Sequence, residues 1–217
     1  MGFEVQSTRS PFVIFLDIDG VVYNGPNQDG VSKKALELFP NQPNSRKSLD
    51  IAATHFFDNK AIENLNVYIC QIEKTKVASI VLSSAWRTKR DIPEIKEVFS
   101  KHNFSKYIVS KTPDDLNPTA NRLYCRDEVH TKSQYQFESC RATEIQYWLN
   151  QHPEIIQYVI LDDNDNHLSQ AFEDRLILTK YQTLFDEKTL QKALRHLYIS
   201  QAISAFLSSI NWVFKRI

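Results

Sequence analysis

Phe12 to Gly20 reads FVIFLDIDG: five apolar residues in a row, then two aspartates and a glycine. A short apolar run bounded by turn residues is the pattern of a strand buried on both faces, as in parallel sheets. The pattern returns twice. Ala78 to Leu82 (ASIVL) stops at Ser83 and Ser84, and Tyr158 to Leu161 (YVIL) stops at Asp162 and Asp163. An amphipathic stretch precedes each of these later runs. Ile62, Leu65, Ile69 and Ile72 share one helical face before the second, behind Asp58 as a candidate N-cap, and Ile145, Trp148 and Leu149 share one before the third. Strands alternating with helices predict an α/β protein with a doubly wound parallel sheet, whose ligands bind beyond the carboxyl ends of the strands.

All three runs end in oxygen-bearing side chains at that edge. Asp17, Asp19, Ser83, Asp162 and Asp163 are therefore expected in one crevice, with no His or Cys among them. Such donors suit a hard cation such as Mg²⁺, which in turn suits phosphate oxygens. An aspartate can act there as a covalent nucleophile, and a second one as general acid and base. Each motif also has a simpler reading. Asp and Gly are common in turns. Ser83 and Ser84 after a strand are placed to cap a helix, Arg87 to pair with a surface acid, and Trp86 to pack. Asp162, Asn164, Asn166 and Glu173 have the spacing of a calcium loop, but His167 stands where that loop needs glycine and a strand precedes it.

The chain of 217 residues is long enough for one domain with its own core, and 26 Lys and Arg balance 26 Asp and Glu. That balance gives no global attraction to nucleic acid or anionic lipid. Cys70, Cys125 and Cys140 form neither a metal spacing nor a complete disulfide set, so a reducing, cytoplasmic compartment is expected. No secretory-type segment and no apolar run of ~20 residues is seen.

FLDIDGVV (residues 15–22) resembles the first motif of the haloacid-dehalogenase-like (HAD) superfamily, IVLSS (80–84) its second and VILDD (159–163) its fourth, in the same order. FFDNKAIENLNVYI, IVLSSAWR, RATEIQYWL and VILDDNDN further resemble the HAD domains of multidomain RNA-repair proteins. The likeness runs from about Pro11 to about Leu194. It implies a Mg²⁺-dependent phosphatase with Asp17 as nucleophile, Asp19 as general acid and base, and Ser83 on the phosphoryl oxygens. It also implies a metal site of Asp17, the Asp19 backbone carbonyl, and Asp162 with Asp163, the latter favoured as direct ligand. Arg141 is the first choice for the cation of the third motif and Lys132 the second. Ser84, Arg87 and Lys132 are expected at the substrate. An acid at Asp19 separates phosphoester hydrolases from the dehalogenating branch, whose leaving group needs no proton.

In this superfamily a cap domain governs the substrate. Between Gly20 and Asp58 there is space for a flap and a short helix such as Lys33 to Phe39, followed by the turn-rich PNQPNS, and Lys111 to Ser139 lacks the periodicity of a full cap. A small or absent cap favours a phosphate carried on a macromolecule. A phosphorylated protein, on Tyr or Ser/Thr, is the favoured partner, with Tyr107, Tyr124, Tyr135 and Phe137 as candidate slot walls. A nucleic-acid end phosphatase or a small-molecule phosphatase is the alternative. The domain is expected over 11–195. Residues 196–217 form an amphipathic helix, with Ile199, Ile203, Phe206 and Ile210 on one face, that packs on a neighbour or contacts a membrane through Trp212, Phe214, Lys215 and Arg216. The Asn-, Lys- and Gln-rich character resembles phosphatase domains of secreted bacterial effectors, which implies delivery into a host cell.

Overall fold

The computed structural model describes residues 9–25, 28–113, 141–165 and 168–214, with the side chains of the last helix described to Ile199 and at Ala202. β1 (Pro11–Leu16), β2 (Val77–Leu82), β3 (Ile108–Lys111), β4 (Tyr158–Asp162) and β5 (Leu176–Leu178) form one parallel sheet in the order β3-β2-β1-β4-β5. The expected strand starting at Phe12 is thus the central one. It pairs with β2 from Pro11↔Val77 to Leu16↔Leu82 and with β4 from Val13↔Tyr158 to Leu16↔Leu161.

Alternation along β1 explains why the run is apolar throughout. Phe12, Ile14 and Leu16 point into one core with Leu65, Ile69 and Ile72 of α3 (Asn59–Glu73), Ile95 and Val98 of α4 (Ile92–Val98), and Leu190, Ala193 and Leu197 of α7 (Glu187–Phe214). Val13 and Phe15 point into the other with Ile145 and Trp148 of α5 (Arg141–Gln151) and Leu168 and Phe172 of α6 (Leu168–Phe172). Every residue from Phe12 to Leu16 is fully buried, so a polar residue anywhere in the run would stand without water or partner. Because chain order reverses between β1 and β4, a crevice opens at their carboxyl ends.

Three features differ from the sequence reading. Two short strands, β3 and β5, extend the sheet; IVSK is half exposed and LIL only three residues long, so neither gives an apolar run. In place of one short helix, α1 (Gln28–Leu38) and α2 (Arg46–Ala53) flank the PNQPNS turn, and the Ser45 hydroxyl caps α2 by accepting from Ser48 N at 3.1 Å. The boundary expected at 195/196 falls inside one continuous helix, α7, whose Leu197 is core while Ile199 is exposed. No helix among the described residues is long and apolar enough to cross a membrane. Tyr124, Cys125, Lys132, Tyr135, Phe137, Cys140 and Lys215 to Ile217 lie outside the described residues, and Trp212 and Phe214 outside the described side chains.

Candidate active site

Asp17 follows β1 directly. Its backbone N–H donates to Leu161 O at 2.9 Å, and Ser83 N–H donates to Leu16 O at 2.8 Å, so the ladders of three strands deliver Asp17, Ser83 and Asp162 to one edge. Beyond Asp17 the chain turns tightly. Ile18 O accepts from the N–H groups of Val21, Val22 and Tyr23, and Gly20 N–H donates to Tyr23 O at 2.7 Å. Gly20 has φ +71°, and a Cβ there would lie 2.1 Å from Cγ of Asp163. Glycine is thus required both by the backbone and by the packing of the acid against the loop.

Ligand oxygens of Asp17, Asp162 and Asp163 lie within 4.8 Å of one another. Asp17 Oδ1 accepts from Ile18 N–H at 2.8 Å, and Asp162 Oδ1 from Asn164 N–H at 2.9 Å. Asp162 Oδ2 is buried and has no hydrogen-bond partner among the described residues. The Asp19 carboxylate stands outside this cluster and accepts from Trp86 Nε1 at 3.0 Å. Across the crevice, NH1 of Arg141, in the first described turn of α5, is 3.7 Å from Asp17 Oδ1, 3.7 Å from Asp162 Oδ2 and 3.4 Å from Ser83 Oγ.

Crowded carboxylates with little water hold their protons more tightly. Burial, then the neighbouring Asp17, pushes the Asp19 carboxyl up to about 6. The same two causes push Asp162 to about 7 against the pull of Arg141, and Asp163 upward. Burial alone would lower Arg141, but Asp17, Asp162 and Glu144 outweigh it and its guanidinium is raised. Three oxygen acids with like charge and an unpartnered buried oxygen form a donor set that fits a hard divalent cation.

The expected residues are distributed in a definite way. Asp17, Asp19, Ser83, Arg141, Asp162 and Asp163 come together. Ser84 and Arg87 do not present themselves to a substrate. The Ser84 hydroxyl caps the 3₁₀ turn Ala85–Arg87 by accepting from Trp86 N at 3.4 Å. Arg87 is buried and donates to the carbonyls of Ser84 (2.7 Å), Thr112 (3.1 Å) and Pro113 (3.1 Å) and to Glu144 Oε2 (2.6 Å). Its placement at the substrate is therefore replaced by a structural one. Three residues were missed: Trp86 as the partner of Asp19, Glu144 as the buried acid between two arginines, and Thr179, whose hydroxyl donates to Gly20 O at 2.8 Å. Only Glu144 left a signal, an acid three residues after Arg141 that shares its helix face with Trp148.

A family model described as "HAD domain in Swiss Army Knife RNA repair proteins" matches residues 13–190, which takes in β1 from Val13 onward, the other four strands and every acid of the site. The chain belongs to this HAD family. A solved haloacid dehalogenase-like family hydrolase from Streptococcus pneumoniae is similar at 8% identity and a TM-score of 0.37, with 85% of this chain and 90% of that one covered. Among curated proteins nothing matches. Membership identifies the chain as a HAD-like hydrolase and agrees with the parallel sheet and the acids at its edge.

Proposed function

We propose that this HAD hydrolase is a Mg²⁺-dependent phosphomonoesterase working through a phosphoaspartyl intermediate on Asp17. The observation that carries the reading is the cluster of Asp17, Asp162 and Asp163 facing Arg141, with Asp19 held beside it by Trp86. Ile18 N–H donates to Asp17 Oδ1 and Arg141 faces the same oxygen at 3.7 Å, which leaves Oδ2 to attack phosphorus in line. As the ester P–O bond breaks, Asp19 gives its proton to the leaving oxygen. Its carboxylate then takes a proton from water, which attacks the same phosphorus and releases phosphate and free Asp17. Arg141 and Ser83 hold the phosphoryl oxygens through both steps. Asp17, Asp162 and Asp163 would hold the cation, which supplies neutralisation of the phosphoryl charge.

The macromolecular substrate we favour is a phosphoprotein, because among the described residues the segment between Gly20 and Asp58 supplies only α1 and α2, too short to enclose a small molecule as a full cap would. The family's description as RNA-repair domains supports a second reading, a nucleic-acid end. Phosphopeptides, 5′- and 3′-phosphorylated oligonucleotides and small phosphoesters assayed side by side with Mg²⁺ separate the two; turnover of the oligonucleotides alone would displace the protein substrate. Asp17→Asn is expected to abolish turnover of every ester, and chelation to do so reversibly. Activity retained in Asp17→Asn, or labelled phosphate trapped on another side chain, would remove the mechanism.

A further inference from the structure

Arg87 and Glu144 are both buried, and they form a tight ion pair beside the site, 2.6 Å from Nη2 to Oε2. Arg87 is anchored by backbone carbonyls at the ends of β2 and β3, so the position of the Glu144 carboxylate is set by the sheet. The same Oε2 stands 4.0 Å from Nε of Arg141, one helical turn earlier on α5. Arg141 is thus shared between Glu144 at its Nε edge and Asp17 with Asp162 at NH1. Its 3.7 Å separations from both aspartates exceed hydrogen-bond distance, although Coulomb attraction draws the guanidinium toward them.

From this geometry we infer that Glu144, locked by Arg87, is a positioning residue that holds Arg141 back from the nucleophile and keeps open the gap a phosphoryl oxygen enters. The assignment rests on the phosphatase reading of the site. Without the Glu144 charge, Arg141 closes onto Asp17 and Asp162, covers the attacking carboxylate, and leaves Arg87 buried without its acid.

The test is steady-state hydrolysis of p-nitrophenyl phosphate with Mg²⁺, inhibition by inorganic phosphate, and thermal melting, on the full chain. Glu144→Gln is expected to lower kcat/KM by about 100-fold, the order seen when a reacting group is displaced by ~1 Å, and to weaken phosphate inhibition in parallel. Glu144→Asp should recover part of both. The double variant Arg87→Met with Glu144→Met, an apolar replacement of the pair, should regain melting temperature but not kcat/KM. That variant also carries the test if Glu144→Gln fails to fold. Wild-type-like kcat/KM and phosphate inhibition in folded Glu144→Gln, or recovery of both stability and kcat/KM in the double variant, would overturn the assignment while leaving the phosphatase reading intact. A wild type that hydrolyses neither this ester nor any phosphopeptide or oligonucleotide overturns that reading, and this one with it.

Discussion

Gly20 shows how narrowly the loop after Asp17 is specified. Its φ of +71° costs an L side chain about 1–2 kcal/mol on the backbone alone, and an added Cβ would collide with Asp163. Gly20→Ala is therefore expected to destabilise the chain by more than that and to weaken binding of a divalent cation, read by calorimetric titration. Asp19 yields a second prediction. In cation-free protein its carboxyl is raised from the ordinary 3.8 to about 6. Between those values the folded state keeps a proton the unfolded chain has released, so stability falls as pH rises across that window and levels off above it. Urea midpoints in chelator at acidic and neutral pH should fall further for wild type than for Asp19→Asn; equal falls would show that Asp19 does not carry the effect. Arg87 marks the limit of reading side chains from sequence. Its acceptors lie at Thr112, Pro113 and Glu144, far along the chain, and nothing local distinguishes it from a surface cation.

Local chemistry decided some elements completely. Asp58 accepts from Ala61 N–H at 2.7 Å and starts α3, whose Leu65, Ile69 and Ile72 face the core as their spacing requires. Asp58→Ala should cost about 1 kcal/mol, visible as a lower unfolding midpoint without change in the denaturant slope. It should leave the site acids in place, although Asp58 N–H also ties α3 to Val22 O at 3.0 Å. Other elements exist only through their neighbours. β5 is three residues long and is held by pairing with β4, from Ile160↔Leu176 to Asp162↔Leu178. Thr179, just after it, then reaches Gly20 O and fastens the loop after Asp17 from the β5 edge of the sheet. α2 was hidden because its buried face is made of Ser48, Ala52 and Ala53, small side chains that mark an inner face only weakly.

Across the molecule, the sheet gathers acids that repel one another. The folded state therefore carries electrostatic strain that a bound divalent cation would relieve, whereas the unfolded chain has no such site. Mg²⁺ at about 100 times its dissociation constant should add about 2.7 kcal/mol of stability, seen as a melting temperature that rises with Mg²⁺ in wild type and hardly moves in Asp163→Asn. Equal rises in both would place the ion elsewhere. The sequence by itself determined the α/β class, the three inner strands and the acids at their ends, because burial on both faces leaves a short, largely apolar run that gives way to acids and hydroxyls at the sheet edge. The tertiary structure alone decided the sheet edges, the pairing of Asp19 with Trp86, and the sharing of Glu144 between Arg87 and Arg141. Trp86 and Arg87 lie far along the chain from Asp19 and Glu144, and only the parallel register that sets strand ends side by side brings their polar atoms within reach.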